Sequence, residues 1–245
     1  MISKMAITTK TPPVITVDGT AGSGKGTISL KLAEELGWHF LDSGVLYRAL
    51  ALLYIWHLNQ NQQQPVDLEQ IDLILEENII TSLTLQLKVD FQAKKISLIY
   101  PNNEIQDITT EIRSEFCGNL ASKLALFPTV RTALLAKQRE FRKSPGLVAD
   151  GRDMGTVVFP DAVIKFFLDA DAKVRATRRD LQLKALGVGG NLHDRINELS
   201  ERDLRDSQRV AAPLIPATDA ITIDTTTMTI NEVFGIVMNQ VKLIV

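Results

Sequence analysis

A glycine-rich segment near the start of the chain has the composition of a phosphate-binding loop. It reads Gly19-Thr20-Ala21-Gly22-Ser23-Gly24-Lys25-Gly26-Thr27. A β-branched run, Val14 to Val17, precedes it, and a stretch with helical periodicity follows. In such a setting the glycines let successive backbone N–H groups turn toward one anion, the helix N-terminus adds partial positive charge, and Lys25 can reach the outer phosphates. With strand and helix in the right places, a phosphate-binding loop is favoured over an ordinary glycine-rich turn.

One position departs from the strict form of this motif. A serine or threonine that contacts magnesium normally follows the lysine directly. Here that position is Gly26, and the hydroxyl comes one residue later, at Thr27. The displaced hydroxyl argues against a magnesium site of the GTPase type.

Polar residues also follow a second predicted strand, Trp38 to Leu41. Asp42-Ser43-Gly44 comes directly after it, and Tyr47 and Arg48 lie about one helical turn beyond Ser43. The carboxyl edge of a parallel sheet is where open α/β folds bind ligands. The sequence therefore predicts a ligand pocket here, and the alternative is a helix cap beside a surface arginine.

A second charged cluster stands where another buried strand ends. In Asp150-Gly151-Arg152-Asp153, two carboxylates bracket one arginine. Burying such a cluster costs free energy unless a ligand, a metal or an ion pair compensates the charges. This favours a ligand-binding role, with a purely structural salt-bridge network as the alternative.

Arginines are concentrated on two predicted helices in the last third of the chain. Arg175, Arg178 and Arg179 lie on the first, and Arg202, Arg205 and Arg209 share a face of the second. Between residues 131 and 209 there are 16 of the 27 basic residues against 12 acidic ones, so the region is mixed rather than polybasic. A solvated pair of salt-bridged helices is one interpretation. A site for phosphoryl transfer, which needs converging cationic groups, is the other.

Three of these motifs, taken in order, resemble the bacterial cytidylate kinase family. They are Asp42 to Arg48, Asp150 to Pro160, and Glu201 to Asp206, and the likeness runs from Val14 to the C-terminal helix. It implies an ATP-dependent nucleoside monophosphate kinase that moves the γ-phosphoryl group of MgATP to CMP or dCMP in pyrimidine nucleotide metabolism. Transfer would be direct and in line.

The resemblance also implies roles for individual residues. Residues 19 to 27 would hold ATP. Ser43, Arg131 and Asp153 would recognise cytosine, Tyr47 would line the same pocket, and Ser122, Arg202 and Asp206 would contact the ribose. The acceptor phosphate would be held by Arg48, Arg152 and Arg209. Lys25, Arg152, Arg178 and Arg209 would be catalytic, with Arg178 on a lid over ATP. No direct magnesium ligand is assigned, but Thr27 and Asp150 could act through water.

The order of elements that would position these residues predicts an α/β fold. Strands separated by helices indicate a parallel sheet of about five strands with helices on both faces. Alternation over Leu83, Leu85, Leu87, Val89 and Phe91, followed by Lys95 to Tyr100, predicts a small antiparallel insert. We expect a flexible leader over residues 1–13 and a P-loop kinase core over 14–82 and 123–245. The lid would span about 178–195 and the monophosphate-binding insert 83–122.

Composition limits the remaining classes of function. With 245 residues, 45% of them hydrophobic, the chain can bury a core and is neither disordered nor fibrous. The net charge of −2 argues against nucleic acid or anionic membranes as partners. The single cysteine, Cys117, indicates a reducing, cytoplasmic setting. We expect a monomer, since no heptad seam appears.

Two rival functions stay open from the sequence. One is a kinase for another monophosphate, UMP or AMP, and only the acceptor motifs argue against it. A P-loop nucleotide sensor that recruits a partner would require a switch segment contacting the γ-phosphate and metal, and no such segment is recognisable.

Overall fold

The computed structural model describes residues 11–61, 76–92, 95–185 and 191–245. Several predicted features lie outside these residues. They are most of the leader expected over residues 1–13 and part of the lid expected over about 178–195. The sequence also predicts a helix from Asp67 to about Asn78 and a helix break at Gly187 to Gly190, and the helix up to residue 75 and the whole break lie outside the described residues. No helix in the described ranges is both long enough and apolar enough to cross a membrane.

Strands and helices alternate along most of the chain. The strands are β1 (Val14–Gly19), β2 (His39–Asp42), β3 (Lys88–Gln92), β4 (Lys95–Ile99), β5 (Ile105–Asp107), β6 (Leu147–Gly151), β7 (Ile164–Asp169) and β8 (Ile221–Asp224). The α-helices are α1 (Lys25–Leu36), α2 (Ser43–Asn61), α3 (Glu77–Gln86), α4 (Glu115–Leu124), α5 (Pro128–Arg139), α6 (Ala172–Ala185), α7 (Leu192–Ser207) and α8 (Ile230–Val241). Two short helices complete the described elements, a 3₁₀ helix at Glu111–Arg113 and a π-helix at Met154–Val158.

Among the described residues, five strands form the main sheet in the order β2-β6-β1-β7-β8. The central strand, β1, pairs in parallel with β6 on one side and β7 on the other, and β7 pairs in parallel with β8. All six residues of β1 are buried, as expected for a strand covered on both faces. The predicted five-stranded parallel sheet is confirmed.

The chain divides into two compact units. The first contains residues 1–41, 139–199 and 214–245 and includes the core of the main sheet. Its apolar core joins β1 and β7 to α1 and α8 through Ile15, Leu32, Phe166 and Val237, all of which are at most 1% exposed. The carboxyl ends of β1, β6 and β7 are therefore supported by this closely packed apolar core.

The second unit contains residues 42–138 and 200–213. Its helix α2 packs against α4 and α3, and within the described ranges β3, β4 and β5 form a three-stranded antiparallel sheet. Tyr54 is fully buried in this unit. The predicted insert over residues 83–122 lies within it, and the predicted antiparallel sheet is present.

The predicted start of that sheet is wrong. Leu83 and Leu85 belong to α3, and the strand begins only at Lys88. Ile80, Leu83 and Thr84 are buried at helical spacing, whereas Leu85 is 67% exposed. Leu83 and Leu87 lie four apart and fit a helix as well as a strand, whereas Leu85 fits only the strand, and here burial of the helical face decides. The sequence analysis also missed β5, whose three exposed residues carry no apolar pattern.

The ends of two helices agree with the sequence better than the start of this sheet does, because helix caps depend on neighbouring residues. Gly37 follows the helical stretch after the glycine-rich loop, a position typical of a helix stop, and it ends α1 in a left-handed conformation with φ of 63°. Thr229 and Glu232 have the spacing of a capping box, and they form one at the start of α8. In that box the Thr229 hydroxyl accepts from the Glu232 N–H, and the Glu232 carboxylate accepts from the Thr229 N–H at 2.8 Å.

We expect Thr229→Ala to lower the free energy of unfolding by about 1 kcal/mol, because one N–H group at the start of α8 loses its acceptor. Urea denaturation with an unchanged m-value is the measurement. Thr227→Ala changes an exposed threonine of the same loop and should stay within about 0.5 kcal/mol of the parent. Equal stabilities for the two variants would contradict the cap assignment.

Candidate functional site

The glycine-rich loop of the first unit is shaped by conformations that need glycine. Gly22 and Gly24 have φ values of 80° and 93°, in the left-handed region. A Cβ atom at Gly22 would also lie 2.9 Å from the carbonyl oxygen of Arg175. The loop is thus held close to α6 while its backbone turns into the N-terminus of α1, the arrangement that binds anions.

Hydrogen bonds tie this loop to neighbouring segments. The Thr20 hydroxyl donates to the Asp169 carboxylate at 2.7 Å, and the Thr225 hydroxyl donates to the Ser23 carbonyl at 3.0 Å. The Lys25 ammonium donates to the Thr20 carbonyl at 3.1 Å. Lys25 is therefore held against the backbone of the loop itself.

Arg175 supports the loop from α6, a role that the sequence analysis did not assign. Its buried guanidinium donates to the carbonyl oxygen of Ala21 at 3.1 Å and to that of Ala170 at 2.8 Å. From its position in the sequence, Arg175 was grouped with Arg178 and Arg179 on one predicted helix. Only the fold shows that Arg175 braces the backbone of the loop.

Gly26, the residue that departs from the strict motif, lies against Asp150. A Cβ atom at this position would be 3.2 Å from Asp150 Oδ2, closer than most Cβ contacts in proteins. A serine or threonine here would crowd the buried carboxylate. The glycine thus gives the Asp150 carboxylate its place beside the start of α1, with the exposed Thr27 hydroxyl next along the helix.

The Asp150 to Asp153 segment meets the loop directly. Arg152 donates to the carbonyl oxygen of Gly19 at 2.8 Å, so the guanidinium of the charged cluster lies at the start of the phosphate-binding loop. Asp153 is buried and precedes the π-helix. The structure thus brings together, within one unit, the loop, Asp150, Arg152 and Asp153.

Asp18, the last residue before the loop glycine, is a further buried carboxylate of this site that the sequence analysis passed over. It accepts hydrogen bonds from the N–H groups of Met154 and Gly155, each at 2.8 Å. Burial raises the pKa of Asp18 to about 7, against the lowering effect of these two hydrogen bonds. The sequence signal that could have identified Asp18 is its position as an acidic residue at the end of a predicted buried strand.

Arg178, predicted on a lid, points elsewhere in this structure. Its guanidinium donates to the carbonyl oxygens of Thr225 and Met228 at 2.6 and 3.2 Å and to the Thr225 hydroxyl at 3.0 Å. It therefore lies along the segment after β8. The lid role stays a prediction, since it requires Arg178 to exchange these partners for phosphate oxygens.

In the second unit, Arg48 is held at the N-terminus of α4. It donates to the carbonyl oxygens of Ile112 and Ser114 at 2.6 and 3.2 Å. A Cβ atom at Gly118 would lie 2.8 Å from its guanidinium, so glycine makes room for Arg48. Cation and helix N-terminus together favour binding of an anion near Arg48.

Other predicted acceptor residues form pairs within the second unit. Arg131 lies over the Tyr47 ring, with its guanidinium carbon 5.9 Å from the ring centroid. Such a pair fixes the direction of the guanidinium. Ser43 begins α2 and is buried, at the point where the sequence predicted a pocket.

Helix α4, helix α7 and the segment just after α7 hold the remaining predicted contacts. The prediction that Arg209 shares a helix face with Arg202 and Arg205 is wrong, because α7 ends at Ser207. Arg205 donates to Ser122 at 3.4 Å and to Asn119 at 3.3 Å. Arg209 forms a buried ion pair with Asp206. The sequence analysis placed Arg209 against phosphate and Asp206 against ribose, and the structure shows that the two side chains contact each other. Arg205, which had no assigned role, is the link to Ser122.

Comparison with known proteins agrees with these motifs. The model of the cytidylate kinase family matches residues 15–243. A cytidylate kinase of Serratia proteamaculans is 50% identical over 227 residues, which is 92% of each chain. One from Photorhabdus laumondii is 50% identical over 94% of this chain and 95% of its own, and one from Erwinia tasmaniensis is 47% identical over 96% and 97%. A match this long and this close shows that the chain belongs to the cytidylate kinase family.

Proposed function

We propose that the chain is a (d)CMP kinase, which transfers the γ-phosphoryl group of ATP to CMP and dCMP to give CDP and dCDP. The observation that carries the proposal is the hydrogen bond from Arg152 to the Gly19 carbonyl. It places an arginine of the predicted acceptor motif at the start of the donor loop. Membership of the cytidylate kinase family supports the same reaction.

The donor half of the reaction uses backbone N–H groups and one ammonium. The left-handed glycines turn the loop backbone toward the phosphates of ATP, and the N-terminus of α1 adds its partial positive charge. Lys25, held by the Thr20 carbonyl before ATP binds, moves to the β- and γ-phosphates. There it balances charge that develops on the transferring group.

Magnesium fits the oxygen groups next to the loop. The buried Asp150 carboxylate lies against Gly26, and the exposed Thr27 hydroxyl follows on α1. Mg²⁺ prefers oxygen ligands and keeps several of its own waters. Asp150 and Thr27 would hold the ion through such waters. When bound, Mg²⁺ neutralises charge on the β- and γ-phosphate oxygens.

In the acceptor half of the reaction, we assign each part of CMP to a separate group of residues. Arg48, Arg152 and Arg209 hold the phosphate of CMP, since a dianion needs several cations. Ser43, Arg131 and Asp153 recognise cytosine, and Tyr47 orients Arg131 through its ring. Ser122, Arg202 and Asp206 contact the ribose, and Arg205 holds Ser122 in place.

The chemical step is one displacement. An oxygen of the CMP phosphate attacks the γ-phosphorus of ATP, the bond to the β,γ-bridging oxygen breaks, and ADP leaves. No side chain forms a covalent bond. Catalysis rests on positioning and on cations around the transferring group, including Arg178 on the lid. Closure of residues 178–195 would exclude water as a competing acceptor.

The cellular setting is inferred from the single cysteine and the net charge of the chain. The buried, single Cys117 is compatible with a reducing cytoplasm. The near-neutral net charge leaves no general basic surface for nucleic acid. We propose a cytoplasmic setting on these grounds, and a monomer because the sequence shows no heptad seam.

ADP release with MgATP, measured in parallel with CMP, dCMP, UMP, AMP and no acceptor, tests this function. Turnover with CMP and dCMP above all other acceptors supports it. Turnover confined to UMP or AMP would keep the kinase but reject the cytosine assignments. ATP binding without acceptor-dependent ADP release would favour a nucleotide sensor.

We expect Lys25→Ala to lower kcat by about a hundredfold or more, because a cation that stabilises the transition state is removed. Lys31→Ala is the matched control, since Lys31 lies on the same helix but donates to Asn231 on the surface. Its kcat should stay close to that of the parent. Turnover of Lys25→Ala near the parent level would reject the mechanism.

We expect Asp153→Ala to lower the ratio of kcat/KM for CMP over UMP by about tenfold or more. The reason is that a base-edge hydrogen bond loses its partner. Asp161→Ala is a suitable control, because Asp161 is exposed and pairs with Arg142. A ratio in Asp153→Ala equal to that of the parent would overturn the base-recognition role.

A further inference from the structure

Asp18 occupies the junction between the phosphate-binding loop and the acceptor motif. It is 5% exposed and lies at the carboxyl end of the central strand. Oδ1 accepts from the Met154 N–H and Oδ2 from the Gly155 N–H, both at 2.8 Å. The proposed reaction gives this carboxylate no contact with either nucleotide.

The two N–H groups belong to the first turn of the π-helix Met154–Val158. N–H groups in a first helical turn have no partner within the helix, and the preceding residue commonly supplies a side-chain acceptor. Here the preceding residue is Asp153, and its side chain makes no capping hydrogen bond. Asp18 caps the turn instead. The side chain of Asp153 is thereby released from capping.

Gly155 brings the turn close to the central strand. A Cβ atom there would be 2.9 Å from the Thr16 hydroxyl and 3.3 Å from Asp18 Oδ2. It would also be 3.0 Å from the Lys165 side chain on β7. The turn is therefore confined by packing as well as by the two hydrogen bonds, and its backbone has little freedom to shift.

Holding a carboxylate in this place has a cost. Burial, helped by the negative charge of Asp153, raises the pKa of Asp18 to about 7, although the two N–H groups and Arg152 act to lower it. Lys165, the other charged side chain at this turn, has its ammonium paired with Asp219 at 2.9 Å. A carboxylate can accept from both N–H groups at once, whereas an amide offers one acceptor only.

We propose that Asp18 is a positioning residue for the acceptor nucleotide. By holding the Met154 and Gly155 N–H groups, it fixes the backbone that carries Arg152 and Asp153 beside the phosphate-binding loop. It thus sets affinity for CMP and discrimination between cytosine and uracil without touching the substrate. This inference rests on the proposed function.

One consequence concerns stability and pH. Because the pKa of Asp18 is about 7 in the folded protein and near 3.8 in the unfolded chain, the native state binds the proton more tightly. Relative to Asp18→Asn, which cannot titrate, the parent should lose stability as pH rises from about 4 to about 7 and change little above that. Urea denaturation of both proteins across this range is the measurement, and a constant difference would contradict the buried charge.

Steady-state kinetics of Asp18→Asn tests the positioning role. We expect KM for CMP to rise about tenfold or more, the CMP over UMP ratio of kcat/KM to fall, and KM for ATP to stay within about threefold. Asp161→Asn, a carboxylate of the same unit paired with Arg142, should change none of these values. A folded Asp18→Asn with unchanged KM for CMP, or with KM for ATP rising in parallel, would overturn the proposal.

Amide hydrogen exchange separates this proposal from the proposed function. Exchange at residues 154–158 should be faster in Asp18→Asn than in the parent or in Asp161→Asn, whether or not the parent phosphorylates CMP. Unchanged exchange there would refute the positioning role. If Asp18→Asn does not fold, Gly155→Ala displaces the same turn by crowding, and it should raise KM for CMP over KM for ATP in the same way. A folded Gly155→Ala in which neither KM changes would refute the role too.

Discussion

At the carboxyl end of β1, the backbone of Gly19 passes so close to Leu168 that a Cβ atom would lie 1.9 Å from the Leu168 carbonyl oxygen. No other residue type fits there without separating β1 from β7. The loop that follows begins from this fixed point, and Arg152 donates to the same Gly19 carbonyl group. The donor loop and the acceptor motif therefore share one anchor on the central strand.

The negative charge of the two substrates explains why charged side chains lie near this anchor. Two anionic nucleotides repel each other, and phosphoryl transfer adds charge to the oxygens between them. In the first unit, we propose that loop N–H groups, Lys25 and Arg152 meet this demand, and the carboxylates of Asp18 and Asp169 accept from backbone or neighbouring side chains. In the second unit, considered by itself, Arg48 is held at the N-terminus of α4 and Arg131 lies over the Tyr47 ring. Arg48 and Arg152 are each held by backbone carbonyl groups, whereas Lys25 and Arg178 would have to exchange partners, so only part of the positive charge is positioned in advance.

Local patterns made much of the fold and part of the candidate site predictable. The β-branched run, the glycine loop, the Gly37 stop and the Thr229 box depend on neighbours in sequence, and the structure has each of them. The point where α3 ends and β3 begins was not predictable, because leucines four apart suit a helix as well as a strand and tertiary burial decides between them. Asp18 and Arg175 were missed for another reason. Both partners of Asp18 and one of the two partners of Arg175 are backbone groups 136 to 154 positions away, so neighbours in sequence do not indicate these contacts.

The stereochemical course at the transferred phosphorus is the most direct test of the central claim, which is direct transfer from ATP to CMP. The substrate would be ATP made chiral at the γ-position with sulfur and oxygen isotopes, with CMP as acceptor. A single in-line displacement predicts inversion of configuration in the CDP product. Retention would indicate two displacements through a phosphorylated side chain and would contradict the account.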